Sequence, residues 1–278
     1  MLAPLRTEVT ALPLFLRLLL IALLFCVPPA SAERLVRVGA YHFPPYIVKP
    51  ESDRPGGLLP ELLGALNGMR RDYRFELVPT SVTRRYRDLT QGRYDLIFFE
   101  SPDWGWQGIA LELLDLQISD AEVYVARAVP GRDQSYFDRL QSKRLALYNG
   151  YHYGFAGFNA DQERLIREFN AVLTYSHDSN LLMLLHDRAD ISVVTRSYLR
   201  LFQRENPGLE GRLLVSKRTD QVYRHQALLR PRAAIDRVGL EGMLAQLKSD
   251  GRFAELLERY DLLDASKVPI EQADPMPR

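Results

Sequence analysis

The chain has almost no cysteine. Of its 278 residues only Cys26 is a cysteine, and it lies in an apolar stretch near the N-terminus. A single cysteine excludes an intramolecular disulfide and a zinc site built from several thiolates. The five histidines lack the paired spacing of metal ligands, and the chain contains neither a G-x-S-x-G motif nor a glycine-rich phosphate loop. We therefore expect no metal, no cofactor and no catalytic constellation.

The chain also lacks an excess of charge of either sign. Its formal net charge is +1, and the first 32 residues hold two arginines and one glutamate, so the remainder is neutral. Nucleic acids and anionic membranes attract proteins with an excess of basic residues. The charge balance therefore predicts that neither is a partner.

Long apolar runs are absent, with one exception at residues 18–27. Two arginines precede this run, two prolines follow it, and Ala-Ser-Ala at 30–32 is a small-x-small cleavage site, which predicts a cleaved signal peptide over residues 1–32. A membrane anchor would need roughly 20 apolar residues. A lipoprotein anchor on Cys26 is the other alternative, but the bulky Phe25 precedes that cysteine.

The remaining chain alternates short apolar strands with amphipathic helices. Strand, helix, strand, helix and strand follow one another between residues 35 and 99, a second such unit follows, and a strand at 223–230 precedes two C-terminal helices. This order predicts parallel strands with right-handed crossovers. The first strand breaks at Pro44 and Pro45, which would hold Tyr41, Phe43 and Tyr46 at its carboxyl end, where ligands bind in open α/β sheets. Packing of these rings into the local core is the alternative.

Six stretches in this order resemble the extracellular solute-binding proteins of family 3, the polar amino acid type of periplasmic binding protein. They are Leu-Val-Arg-Val-Gly at 35–39 with Phe-Pro-Pro-Tyr at 43–46, Gly-Leu-Leu-Pro-Glu-Leu at 57–62, Gly-Arg-Tyr-Asp-Leu-Ile at 92–97, Arg-Leu-Ala-Leu-Tyr-Asn-Gly at 144–150, Arg-Ala-Asp-Ile-Ser-Val-Val at 188–194 and Leu-Lys-Ser-Asp-Gly-Arg-Phe at 247–253. The resemblance extends from residue 35 to residue 260.

The resemblance implies an α/β, two-lobe periplasmic binding protein-like fold of type II. Its ligand cleft would lie between lobes joined by two crossing strands, near residues 126–127 and 223–224. Lobe one would comprise residues 33–127 and 225–265, lobe two residues 128–224, and residues 266–278 would form a loose tail. Such a fold closes over its ligand by hinge bending.

Two charged positions depart from the family pattern. In members that bind amino acids, an arginine holds the ligand carboxylate and an aspartate holds its ammonium group. The arginine position falls within residues 104–107, which contain no arginine, and the aspartate position is occupied by Thr195. Since an unpaired buried charge costs several kcal/mol, a zwitterion held in the usual way is disfavoured.

The resemblance places aromatic and acidic side chains in the cleft. The predicted ligand-binding residues are Tyr41, Phe43, Glu100, Trp104 and Trp106 on lobe one and Tyr151, His152, Thr195 and Arg196 on lobe two. The aromatic rings could stack on a ligand or accept a cation, Glu100 could pair with a cation, and Arg196 could replace the missing arginine. The alternatives are core packing for the tryptophans, a solvated loop position for Glu100 and a surface charge for Arg196.

The sequence thus predicts a monomeric periplasmic solute-binding protein that is not an enzyme. It would deliver a small polar ligand to the membrane permease of an ABC-type importer. One alternative is an exported enzyme similar to cyclohexadienyl dehydratase, with Glu100 as proton donor. Another is a ligand-sensing partner of a membrane receptor. The sequence does not identify the ligand.

Overall fold

The computed structural model describes residues 33–69 and 72–262. The predicted signal peptide (1–32) and the predicted loose tail (266–278) lie outside the described residues. Within the described ranges, no helix is long and apolar enough to cross a membrane.

Strands and helices alternate along most of the described chain. The strands are β1 (Arg34–Ala40), β2 (Tyr73–Pro79), β3 (Leu96–Glu100), β4 (Glu112–Arg127), β5 (Leu145–Tyr148), β6 (Ala171–Thr174), β7 (Ile191–Thr195) and β8 (Leu213–Leu229). The helices are α1 (Leu58–Asn67), α2 (Arg85–Thr90), α3 (Gln162–Phe169), α4 (His177–Leu185), α5 (Arg196–Glu205), α6 (Arg237–Ser249) and α7 (Arg252–Arg259).

The strands form one eight-stranded sheet in the order β2-β1-β3-β8-β4-β7-β5-β6. On one side β1 pairs in parallel with β2 and β3, and on the other side β5 pairs in parallel with β6 and β7. The predicted parallel pairing is therefore confirmed. We call β1–β3 with their helices the first half of the molecule and β5–β7 with their helices the second half.

Two long central strands connect the halves. β4 and β8 are 16 and 17 residues long and pair in antiparallel register from Glu112 opposite Leu229 to Arg127 opposite Leu213. Along β4 the core contacts change from the first half at Ile118 to the second half at Val123. Both strands therefore contribute to the hydrophobic cores of both halves.

The buried strands and helices owe their positions to continuous apolar runs. All five residues of β3 and all five of β7 are buried, as expected for parallel strands covered on both faces. Helix α1 buries five leucines at helical spacing against the first half. In β4 successive residues alternate between the two cores of the second half, because neighbouring side chains of a strand point to opposite faces.

The two prolines after β1 form a closed turn. Phe43 and Ile47 exchange backbone hydrogen bonds of 2.8 and 2.9 Å around Pro44 and Pro45. The turn buries Tyr46, whose hydroxyl donates a 2.7 Å hydrogen bond to Asp120 on β4. Phe43 is thereby fixed at the carboxyl end of β1.

Candidate functional site

A small cavity lies between the two halves, beside the centre of β4 and β8. Its volume is about 20 Å³, enough for about one water-sized group. The lining residues come from both halves and both long strands: Tyr41, Phe43, Val82, Arg85, Trp104, Glu122, Gly150, Tyr151, His152 and Gln221. Five of the nine predicted site residues therefore lie together at this cavity.

Aromatic rings form much of the cavity wall. The ring of Phe43 stacks on Tyr41 at 5.9 Å and meets Trp104 and Tyr151 edge-on at 6.0 and 5.8 Å. Trp104 also belongs to the hydrophobic core of the first half, so it packs in the core as well as lining the cavity, and its ligand contact stays a prediction. Such rings can stack on a ligand or attract a cation to their faces.

A buried ion pair extends from the first-half wall of the cavity into the core. Arg85 begins α2, and its Nε is 3.1 Å from Oε1 of Glu100 at the end of β3. The indole of Trp106 donates a 2.8 Å hydrogen bond to Oε2 of Glu100. Neither Glu100 nor Trp106 is among the lining residues, and Glu100 is fully buried, so its alternative interpretation as a solvated loop acid is wrong.

Burial and pairing act in opposite directions on this ion pair. Burial raises the pKa of Glu100, while Arg85 and the Trp106 indole oppose that shift. Burial disfavours the guanidinium charge, but the carboxylate of Glu100 keeps the pKa of Arg85 above its usual value. Arg85 is therefore a permanent cation whose charge the protein itself balances.

Arg85 was not predicted from the sequence. Three arginines lie between residues 84 and 87, and a charge count does not tell which one points inward. Helical spacing does, because Arg85 lies four residues before the fully buried Leu89 and shares its face.

Glu122 provides a second buried carboxyl group, and it lies directly at the cavity. It is opposite Thr195 in the β4–β7 register, and its Oε1 accepts hydrogen bonds from the hydroxyls of Thr195 at 2.9 Å and Tyr223 at 3.2 Å. Its Oε2 has no hydrogen-bond partner among the described residues. Burial raises the pKa of Glu122 to about 8, against the smaller opposing effect of Thr195.

Glu122 changes the interpretation of the substitution at Thr195. The resemblance placed an acid of amino acid-binding proteins at that position. The structure shows a carboxyl group beside Thr195 that comes from the neighbouring strand. Thr195 itself is buried and does not line the cavity, and the half-buried Arg196 at the start of α5 does not line it either.

Polar contacts join the two halves at the cavity edge. Gln221 on β8 accepts a 3.1 Å hydrogen bond from the Trp104 indole and donates a 2.6 Å bond to the backbone carbonyl of His152. Nδ1 of His152 lies 2.6 Å from the Phe158 carbonyl, which can only accept. The neutral ring therefore carries its proton on Nδ1. The Tyr86 hydroxyl lies 2.9 Å from Nε2 and 2.7 Å from the Trp104 carbonyl, and its single proton serves one of these two acceptors at a time.

His152 is neutral at physiological pH, since burial lowers its pKa to about 4. The close approach of the two halves also requires two glycines. Gly150 has φ +82°, and an added Cβ would lie 2.7 Å from Val82 of the first half. Gly105 of the first half has φ +79°, and its Cβ would lie 3.0 Å from Cε1 of His152 in the second half. Larger residues at either position would push the halves apart.

No protein-family model matches the chain, and no curated protein matches it. Solved structures do. A substrate-binding protein of an ABC uptake transporter from Streptococcus pneumoniae, with bound histidine, is 19% identical, and the match covers 83% of this chain and 93% of that chain at a TM-score of 0.65. A histidine kinase sensor domain with similarity to periplasmic binding proteins is also 19% identical, with 84% and 98% covered and a TM-score of 0.62.

A third solved structure is an ancestral amino acid-binding protein, described as a precursor of cyclohexadienyl dehydratase. It is 15% identical, with 82% of this chain and 95% of that chain covered and a TM-score of 0.60. At these identities the likeness shows the fold. The predicted α/β, periplasmic binding protein-like fold is confirmed.

Proposed function

We propose that this protein is a periplasmic solute-binding protein that captures a small polar ligand and delivers it to an ABC-type importer. The observation that carries the proposal is the cavity between the two halves, which receives side chains from both of them and from both connecting strands. A ligand held there would contact both halves and both connecting strands.

The lobes in this proposal are residues 33–127 with 225–265, and residues 128–224. The change of core contacts along β8, from Val215 in the second half to Tyr223 in the first, supports a crossing near residues 223–224. Along β4 the change between Ile118 and Val123 would place the other crossing before residues 126–127. Closure would bring Tyr86 to His152 and Trp104 to Gln221.

The ligand we propose is small, polar and not held as a zwitterion in the usual way. Arg85 is engaged by Glu100, and removing one partner of a buried ion pair costs about 3–5 kcal/mol. A ligand carboxylate would have to offset that cost before gaining affinity. The aromatic wall and Glu122 remain available for recognition.

A binding role accounts for Glu100 better than catalysis does. Both of its oxygens are engaged, by Arg85 and Trp106, and it does not line the cavity, so it is poorly placed to donate a proton to a ligand. The solved structures described above include binding proteins with amino acid ligands. A sensory role is the second candidate, because a histidine kinase sensor domain shares the fold.

Export and oligomeric state belong to the same proposal. The predicted signal peptide supports a periplasmic location, and we expect a monomer that contacts a membrane permease. Co-purification with the products of neighbouring genes would separate the candidates, since a permease supports transport and a receptor kinase supports sensing.

Intrinsic fluorescence offers a direct test, because the two tryptophans of the chain, Trp104 and Trp106, both lie at or behind the cavity wall. We expect one class in a panel of pooled polar metabolites to change the emission with a stoichiometry of one. The same class should reduce the radius of gyration in small-angle scattering. If no pool alters either signal, a ligand-carrying role is refuted.

A pair of matched variants locates the site. Tyr151 and Tyr136 are both partly buried against the same core of the second half, but only Tyr151 lines the cavity. Tyr151→Ala should weaken binding at least tenfold, and Tyr136→Ala should leave it unchanged. Equal effects of the two variants would place the binding site elsewhere.

A further inference from the structure

Glu122 is a carboxyl group at the cavity that forms no ion pair with a cation among the described residues. The charged groups that act most strongly on it are two further acids, Asp120 on β4 and Asp220 on β8. Its one free oxygen, Oε2, is buried and has no hydrogen-bond partner among the described residues. The cation that also lines the cavity, Arg85, is already paired with Glu100.

The surroundings of Glu122 match a positive charge. The rings of Phe43, Trp104 and Tyr151 line the same cavity, and aromatic faces attract cations. An anionic ligand would meet these faces and an additional carboxyl group. Arg85 has its Nε on Glu100 and its terminal nitrogens on the backbone carbonyls of Val82 and Trp104, so a ligand carboxylate would have to compete with these contacts.

A polar pocket, called here the outer pocket, adjoins the cavity. This second pocket, of about 260 Å³, shares Tyr41 and Val82 with the first. Its wall carries hydroxyl and amide groups from both halves, among them Thr80, Ser81 and Asn149. Oδ1 of Asn149 is buried and has no hydrogen-bond partner among the described residues. The inner cavity has room for a small head group and the outer pocket for a longer hydrogen-bonding chain.

We propose that the site takes the protonated amino group of a ligand on Glu122, and that its ligands are small aliphatic or heteroaromatic amines that need no carboxylate. The ammonium group lies against Oε2 of Glu122 between the aromatic rings, and the rest of the ligand extends into the outer pocket. This inference rests on the proposed binding function and specifies its substrate class.

Binding of an amine at Glu122 would be linked to proton release. Because the pKa of Glu122 is about 8, the free protein carries a proton there at neutral pH, and the carboxylate must form when a cation binds. The titratable groups around it are Asp120 on β4, Asp220 and Tyr223 on β8, and Tyr151 and Tyr153 after β5, while Arg85 and His152 line the same cavity. Well below pH 8, affinity for an amine should therefore rise about tenfold per pH unit.

The test uses three pairs of compounds that differ in the α-carboxylate: cadaverine and L-lysine, histamine and L-histidine, agmatine and L-arginine. Isothermal titration on the mature chain should show at least one amine binding tenfold or more tighter than its amino acid. If the amino acid binds equally or more tightly in each pair, the inference fails and the binding function stands. If no amine binds while another metabolite class does, the amine inference again fails and the binding function stands. If no compound binds, the amine inference and the proposed binding function both fail.

Two measurements assign the effect to Glu122. Glu122→Gln keeps the shape of the side chain and an acceptor for Thr195, and we expect it to weaken amine binding at least thirtyfold. Glu112→Gln, at the exposed end of the same strand, should have no effect. If Glu122→Gln does not fold, the pH dependence of amine binding to the unmodified protein provides the test. Its affinity for the amine should rise about tenfold between pH 6 and pH 7. A flat profile, or full affinity in Glu122→Gln, overturns the inference.

Discussion

Replacing Glu100 by glutamine should destabilise the protein far more than any surface charge change. Glu100 is 0% exposed and Arg85 2% exposed, so water cannot compensate the guanidinium when its partner is lost. Removing one member of such a buried pair costs about 3–5 kcal/mol. For a chain of this size that loss corresponds to a fall in Tm of roughly 6–20 °C.

Chemical unfolding in urea, followed by circular dichroism, measures this loss. The matched control is Glu76→Gln, which breaks the ion pair between Glu76 and Arg74 on the exposed face of β2, with exposures of 42% and 59%. Exposed pairs contribute about 0–1 kcal/mol, so this variant should unfold almost as the unmodified protein does.

A double variant separates the ion pair from the packing around it. Arg85→Met combined with Glu100→Gln removes the guanidinium that Glu100→Gln leaves buried and unpaired. The double variant should therefore recover part of the stability lost by Glu100→Gln alone. If Glu100→Gln costs no more than Glu76→Gln, the buried pair is hydrated and the predicted loss of stability is refuted. Glu100→Gln should also leave Arg85 available, and affinity for carboxylate ligands should increase.

Three further predictions concern the cavity and its edges. Folding raises the pKa of Glu122, so the native state favours its protonated form, and the free energy of unfolding should fall by roughly 1 kcal/mol per pH unit between about pH 4.5 and pH 8. Urea unfolding at several pH values should show a smaller slope in Glu122→Gln, and equal slopes would contradict the prediction. Gly150→Ala should weaken ligand binding at least tenfold because its Cβ meets Val82, whereas Gly157→Ala, also at positive φ but with open space around it, should not; calorimetry compares them. Tyr86→Phe removes the hydroxyl that reaches His152 and should weaken binding by about 0.5–1.5 kcal/mol, and an unchanged affinity would show that this contact does not favour the bound form.

The fold was largely predictable because its signals are local. The runs that became β3 and β7 are apolar apart from Glu100 in β3 and Ser192 and Thr195 in β7, and a strand buried on both faces commonly shows such a run in its sequence. The leucines of α1 recur at helical spacing. The great length of β4 and β8 was less readable, because polar residues such as Asp115, Gln117 and Asp120 interrupt both the alternation and the apolar run in β4.

The site was only partly predictable because its charges depend on long-range pairing. Tyr41, Phe43 and Trp104 follow the ends of predicted strands, so their place at the cavity edge could be expected from topology. Glu122 is different, since it begins an apolar run and has the pattern of an exposed strand end. Only its register opposite Thr195, 73 residues away in sequence, makes it a buried cavity residue.

Glu122 and Gln221 are paired neighbours on β4 and β8, the strands that connect the halves. If the halves rotate about these strands, points near the rotation axis move least and points far from it move most. The Glu122 carboxyl group would then keep its position near the axis, while Tyr151 and Tyr86 would move with opposite halves. A ligand could settle on Glu122 in the open molecule without waiting for closure. The association rate of the ligand would depend on access to Glu122, and its residence time would depend on how stably the two halves close over it.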